Sequence, residues 1–299
     1  MINKLIARAV PMLPKSFVKV VAGKYIAGPN LSDAVRVTQD LMRVGGMSTI
    51  DVLGEFVETR EKAQLELAAV MKVLEAIHDN NLKSYLSVKP TSLGLGIQAQ
   101  FGYENIKKVV SKARDYHLFV RLDMENSPYT DLTLDMYRKL REEGFDNVGI
   151  VLQAYMRRSE SDVRSLLPLK PNVRLCKGIY VESERIAYKG REEIRSNYKL
   201  LLRALLDGGC YVGIATHDEP LIRDAEGLIR ERNLGKSDYE FQMLLGVRED
   251  RRSELLRAGH PLRVYVPFGE DWYGYSVRRL NENPQIAGHI VKSILGVGK

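Results

Sequence analysis

Leu118-Phe-Val-Arg-Leu-Asp-Met124 is a short β-rich run, Thr133–Glu143 has a helical pattern that closes on Gly144, and Val148-Gly-Ile-Val-Leu-Gln-Ala154 is a second β-rich run. Strand, helix, closing glycine and strand again is the pattern of a βαβ unit. The alternation extends in both directions from there. Upstream are the runs Ser48–Leu53 and Ser84–Lys89; downstream are Val173–Lys177, Val212–Thr216, Tyr239–Leu244 and Arg263–Pro267. Helical patterns separate most of them, at Glu55–His78, Asn105–Tyr116, Glu192–Asp207, Pro220–Arg232 and Arg251–Gly259, and Gly208 and Gly259 are expected to end two of these. Such an alternation without a break in composition indicates one parallel α/β unit, and eight runs favour a (β/α)8 barrel over an open doubly wound sheet. No Gly-rich dinucleotide fingerprint follows the first run, which also counts against the open sheet. Residues 48–299 are read as the barrel and residues 1–47 as an added, mainly helical arm.

The bulk numbers suit a soluble globular protein: 299 residues, 44% apolar and 28% charged. A net charge of +7 fits solubility, and also attraction to an anionic membrane surface or an acidic cofactor. No Lys/Arg block with interleaved aromatics suggests nucleic acid. The two cysteines, Cys176 and Cys210, fall at expected strands without metal spacing and read as reduced core thiols. No apolar run reaches the roughly 18 residues of a membrane span. Near the N-terminus, Lys4 and Arg8 lie among apolar residues, but Pro11, Pro14, Lys15 and Lys19 interrupt the pattern. That is a basic amphipathic helix rather than a secretory signal; it either packs on the body or lies on a membrane.

Polar residues concentrate at the C-terminal ends of the runs: Lys89, Asp123 with Glu125, Gln153 with Tyr155, Lys177, Thr216 with His217 and Asp218, Gln242 and Tyr265. In a (β/α)8 barrel those ends open onto one face, where sites of this fold lie. Near the end of the chain, Tyr275, Arg278, Arg279 and Glu282 share one helical face. Two adjacent guanidiniums repel and neither sheds its proton, so an anion such as a small carboxylate belongs between them. Cations dominate the rim, so an anionic substrate, an anionic cofactor or both are expected. No metal-ligand spacing and no serine elbow is present. Two chemistries remain from the residues alone. One is a Schiff-base lysine at Lys89 or Lys177; the other is redox chemistry on a flavin nucleotide, with Lys177-Gly178 at phosphate and Arg174 at an electron-rich ring.

The motif Tyr275-x-x-Arg278-Arg279-Leu280-x-Glu282-Asn283 resembles the signature of the flavin-dependent proline dehydrogenases, a domain also found in bifunctional proline utilisation proteins. Further blocks resemble that family in order: Asp51-Val-Leu-Gly-Glu55, Arg121-Leu-Asp-Met-Glu125, Gln153-Ala-Tyr155, Arg174-Leu-Cys-Lys-Gly178, Ala215-Thr-His-Asp218, Glu240-Phe-Gln242 with Leu244-x-Gly246, and Tyr265-Val-Pro-Phe-Gly269. The resemblance covers roughly residues 45–285 and looks like the monofunctional bacterial type. It implies a distorted (β/α)8 TIM-like barrel with the last helix over its mouth. It further implies bound FAD, oxidation of L-proline to 1-pyrroline-5-carboxylate on the way to glutamate, and electron transfer to a membrane quinone. The location it implies is cytoplasmic, at most peripheral on the inner face of the cell membrane.

Carried over residue by residue, the resemblance makes Arg174 and Asp123 catalytic, with Arg174 at the reactive flavin nitrogen and Asp123 near Lys89 at the pocket gate. Lys89, Arg278 and Arg279 would clamp the proline carboxylate, and Tyr265, Tyr275 and Leu244 would line its ring. Met124, Gln153, Cys176, Lys177, Gly178, Ile179, Thr216, His217 and Gln242 would hold FAD, with Glu282 holding the signature arginines or touching the cofactor. Cys176 and Ile179 depart mildly from the expected Val and Ala of that block, and any of Lys189, Arg191 and Arg195 could reach the phosphates. Hydroxyproline oxidation, a barrel-type Schiff-base lyase and a non-catalytic membrane-surface protein are the alternatives. Under the resemblance, Tyr265 favours proline over hydroxyproline.

Overall fold

The computed structural model describes residues 23–272, so Tyr275, Arg278, Arg279 and Glu282, the last helix, and residues 1–22 of the arm lie outside the described residues. Among the described residues, eight parallel strands close into a barrel in sequence order. They are β1 Met47–Val52, β2 Ser84–Val88, β3 Val120–Leu122, β4 Val148–Gln153, β5 Asn172–Cys176, β6 Tyr211–Ala215, β7 Tyr239–Leu244 and β8 Leu262–Phe268. β8 returns to β1 with Arg263 opposite Met47 and Phe268 opposite Val52. The surrounding helices are α1 Leu31–Arg43, α2 Arg60–Asp79, α3 Ala99–Asp115, α4 Thr130–Glu142, α5 Ser159–Leu166, α6 Arg191–Asp207, α7 Glu219–Glu231 and α8 Glu249–Arg257.

Several boundaries move from where the sequence pattern puts them. β3 is shorter than the Leu118–Met124 run because the Leu118 N–H still caps α3 through the Ala113 carbonyl. α2 begins at Arg60 rather than Glu55: the Thr59 hydroxyl accepts the Lys62 N–H, which leaves the residues before it as a loop at the strand ends. α3 begins earlier than Asn105, and α5 was not expected, since at eight residues it is too short for its periodicity to stand out. Gly144 and Gly259 do take left-handed φ of 84°, ending α4 and α8, but at the end of α6 that conformation belongs to Gly209 (φ 69°), not Gly208.

The described part of the arm is built into the barrel wall. α1 packs against β8 and β1 through Ala34 and Leu41. The chain entering α1 is joined to β8 by bonds from the Ala27 N–H to the Pro267 carbonyl and from the Gly269 N–H to the Gly28 carbonyl. No described helix is long and apolar enough to cross a membrane.

The apolar core lies between sheet and helices. One alternate set of strand residues, including Ile50, Leu86, Val120, Ile150, Val173, Ile214, Phe241 and Val264, packs outward in a single buried cluster with α2, α3, α4, α6 and α7. The other set faces inward and is largely polar: Asp51, Ser87, Arg121, Arg174, Glu240, Gln242, Arg263 and Tyr265. Barrels of this type usually fill their interior with branched apolar layers. A polar interior has to pair most of its groups, and those matches set the geometry of the mouth.

Candidate active site

The deeper layer of the interior is a set of buried charges. Arg121, with no exposed surface, donates from Nη1 to the carbonyls of Ile150 (2.8 Å) and Asn172 (2.6 Å) and from Nη2 to the Asn172 side chain. Gly149 makes this possible, because a Cβ there would overlap the guanidinium. Burial and the nearby Arg174 pull Arg121 down to about 10, far below an ordinary arginine. Arg263 donates from Nε to Glu240 (2.7 Å) and lies 3.4 Å over the Tyr85 ring. Burial opposes the charge on Glu240, yet Arg263 and the hydrogen bonds around it hold its carboxyl below the usual range.

Above this layer, Arg174 projects from β5 across the interior. Its Nε donates to Gln242 Oε1 on β7 at 2.7 Å, and its Nη1 to Asp123 beyond β3 at 2.6 Å. Asp123 also accepts from the hydroxyls of Ser87 (2.8 Å) and Tyr265 (2.9 Å), and the Tyr265 ring lies 5.1 Å from the Arg174 guanidinium. The hydrogen bonds of Asp123 thus run into the interior rather than to Lys89. Among the described residues, Arg174 Nη2 is buried and has no hydrogen-bond partner. A buried donor without a partner costs about 1–3 kcal/mol, more when charged, so the arrangement is complete only with an acceptor supplied from elsewhere.

Lys89, at the end of β2, donates to both carboxylate oxygens of Asp51 at 2.8 Å. Burial opposes the ammonium charge, but Asp51 and Asp123 outweigh it and raise the group above an ordinary lysine. Lys89 is therefore a fixed cation, the opposite of the neutral amine a Schiff base requires. Lys177 pairs with Asp218 at 3.1 Å. Asp218 caps α7 with its backbone and spends its carboxylate on Lys177 and on Arg195, whose Nη2 lies at 2.7 Å. Burial raises the Asp218 carboxyl, and these cations more than reverse the effect.

The three unassigned basic residues separate. Arg195 is held by Asp218 and Glu192, and Lys189 donates to the Glu182 carbonyl. Arg191 is 73% exposed, pairs with Asp218 only loosely at 3.9 Å, and reaches the cavity. Gly178 takes a φ of 102°, and a Cβ on it would overlap the Tyr155 ring, so its backbone lies close against that ring as it enters the site. His217 Nε2 accepts the Leu244 N–H at 2.9 Å, which puts the proton of the neutral ring on Nδ1. Burial pushes the Cys176 thiol up to about 11, so it lines the wall as an unreactive thiol.

A cavity of about 690 Å³ opens at the C-terminal strand ends. It is lined by each described residue to which the resemblance gives a catalytic, substrate or cofactor role: Lys89, Asp123, Met124, Gln153, Arg174, Cys176, Lys177, Gly178, Ile179, Thr216, His217, Gln242, Leu244 and Tyr265. Tyr275, Arg278, Arg279 and Glu282 lie outside the described residues. Sequence reasoning passed over Val247 and Arg248 in this wall, and over Asp51, which lies behind Lys89. Asp51 had a signal, as a carboxylate at a strand end; Arg248 had none, since it follows a loop glycine and ends in a left-handed turn (φ 49°).

The sequence matches the family described as proline dehydrogenase over residues 34–292. The chain belongs to the proline dehydrogenase family. It is 38% identical to a proline dehydrogenase of Deinococcus radiodurans over 279 residues, 92% of this chain and 90% of that protein. It is 39% identical to proline dehydrogenase 2 of Bacillus subtilis, over 89% of this chain and 88% of that one. Among solved structures, it is similar to proline utilization A of Bdellovibrio bacteriovorus inactivated by N-propargylglycine, with a TM-score of 0.83 and 26% identity over 89% of this chain. The match spans 33% of that longer protein. The proline dehydrogenase domain is thus an α/β closed barrel with its polar strand ends gathered at one mouth.

Proposed function

We propose that this proline dehydrogenase oxidises L-proline to 1-pyrroline-5-carboxylate using bound FAD and passes the electrons to a membrane quinone, the first step of proline breakdown toward glutamate. The observation that carries this reading is the guanidinium of Arg174, fixed on two edges and left with a buried Nη2 that has no partner among the described residues, in the wall of a cavity large enough for a dinucleotide. The donor set fits FAD. Lys177 and Arg191 would meet the phosphates, and Gly178 brings backbone close to the same region. Met124, Gln153, Cys176, Ile179, Thr216, His217 and Gln242 would form the remaining wall. When bound, FAD supplies the hydride acceptor.

The chain's own residues orient and charge the site. Lys89, fixed by Asp51, would bind the proline carboxylate together with Arg278 and Arg279. Tyr265 and Leu244 would bound the ring, together with Tyr275, and Glu282 would steady the signature arginines. Asp123 holds Arg174 and the Tyr265 hydroxyl in place. Arg174 would stabilise negative charge as it develops on the reduced ring, a preorganised cation that needs no rearrangement when the reaction occurs.

A spectrum of the purified protein before and after anaerobic L-proline tests this: flavin absorption that bleaches with proline is expected, and a colourless protein unaffected by proline would end the proposal. Because the acceptor is lipid-soluble, the protein is placed in the cytoplasm with peripheral contact at the inner face of the membrane. Failure to co-sediment with anionic quinone-containing vesicles would remove that contact.

A further inference from the structure

Under Arg174 lies a buried ion pair with no assigned part in the reaction. Glu240, on β7, is fully buried. Its Oε1 accepts from Arg263 Nε at 2.7 Å and from Gln242 Nε2 at 2.6 Å, and its Oε2 accepts from the Tyr211 hydroxyl at 3.0 Å. Gln242 in turn accepts from Arg174 Nε. An amide between two such neighbours has one satisfactory orientation. The Glu240 carboxylate can only accept and the Arg174 Nε–H can only donate, so the Gln242 NH2 group must face Glu240 and its oxygen must face Arg174. Turned over, the amide would set donor against donor at one end and acceptor against acceptor at the other. Gly213 on β6 leaves the space, since a Cβ there would overlap the Gln242 amide.

With Nε fixed by Gln242 and Nη1 by Asp123 and Ser87, the plane of the guanidinium is set, and Nη2 is the donor left for a group in the cavity. The chain of bonds begins and ends on β8, running Arg263, Glu240, Gln242, Arg174, Asp123, Tyr265. Apart from Glu240 and Gln242, which share β7, each member holds its neighbour from a different part of the closed wall.

We infer that Glu240 is a positioning residue for the redox site: through Gln242 it sets the plane of Arg174, and hence the positive charge that Arg174 presents to the reducible ring. The inference rests on the FAD reading. Loosening that charge should make the reduced, anionic form of the ring harder to reach, whereas a purely structural role for Glu240 would leave the potential alone.

The test is redox titration and steady-state kinetics of Glu240→Gln. Because that change strips Arg263 of its counter-ion, the double variant E240L/R263M is measured beside it; exchanging both members of a buried pair for apolar groups is tolerated better than removing one. Expected in both is flavin content near that of the parent and a midpoint potential lower by about 30 mV, equivalent to tenfold for a two-electron couple. The turnover number per flavin should fall about tenfold with KM for proline little changed. Variants that retain flavin, melt earlier and keep the parent potential would make Glu240 a structural residue and overturn the inference. A parent protein that neither carries nor takes up flavin would instead overturn the cofactor reading beneath it.

Discussion

Arg121 on β3 and Arg174 on β5 are guanidiniums taken out of water inside the same barrel, and among the described residues each keeps one nitrogen without a hydrogen-bond partner. Their surroundings differ. Arg121 is held by neutral acceptors, two carbonyls and the Asn172 amide, and it is absent from the cavity wall. Arg174 is held by a carboxylate and an oriented amide, and it lines the cavity. A lone N–H sealed beneath the site costs stability and can be met by nothing that binds. One beside a cavity is a vacancy that a bound group can fill. Burial of charge alone thus does not point to a ligand; burial beside usable space does.

The sharpest way to break this comparison is to exchange the two arginines for methionine and follow turnover per bound flavin. Arg174→Met should lower kcat by about 100-fold or more, the scale of losing a preorganised charge-stabilising donor, while Arg121→Met stays within about twofold of the parent. Equal losses in the two would mean that the cavity does not distinguish them.

Glu125 adds a buried charge of opposite sign. It has no exposed surface, and its carboxyl accepts the Thr91 backbone N–H at 2.9 Å and the Thr91 hydroxyl. Burial pushes it up to about 7, against the lowering effect of those bonds. In the unfolded chain it would lose its proton near about pH 4.3. Between those values the folded protein holds more protons than the unfolded one, so stability falls as pH rises through the window, by up to about 4 kcal/mol above pH 7. Denaturant titrations of the parent and Glu125→Gln from pH 4.5 to 8 should show this slope only in the parent; the same slope in both would move its origin elsewhere.

A glycine pair sharpens the contrast at intermediate size. Gly149 makes room for Arg121, and Gly213 makes room for the Gln242 amide that holds Arg174. Gly149→Ala should cost about 2 kcal/mol of stability through overpacking and leave kcat per flavin unchanged. Gly213→Ala should also lower kcat by about tenfold, since the amide it displaces orients the charge proposed to act in the reaction. The smallest effect is expected for the stability of Arg121→Met, about 1–2 kcal/mol. Two carbonyls and an amide lose a donor, but a charge with no carboxylate bonded to it also leaves the interior.

Much of the site was legible in the chain because a parallel barrel imposes a simple rule: the C-terminal ends of all strands share one face. Lys89, Asp123, Gln153, Arg174, Lys177, Thr216, Gln242 and Tyr265 could therefore be collected from a linear pattern, and they line one cavity. The pairings were not legible. That Lys89 answers to Asp51, that Asp218 is spent on Lys177 and Arg195, and that Tyr155 lies behind Gly178 depend on side chains from separate strands and helices. α5 escaped because one short amphipathic segment carries little periodic signal. Asp123 was legible as a polar residue at a strand end that lines the cavity, while its ties to Arg174 and Tyr265 were not.

The sequence by itself determined the alternation of strand and helix, the apolar face each strand turns to its helices, and which polar residues would reach the mouth. Those are local matters, set by a period of two along each strand and by the glycines that end α4 and α8. Tertiary structure decided which buried charge meets which partner, and so which donor remains open. Arg174 draws on β3 and β7, Arg263 on β7 and the carbonyl of Ser48 on β1. Only closure of the barrel brings such distant positions within hydrogen-bond range, and a buried charge takes its role from the partners it is left with.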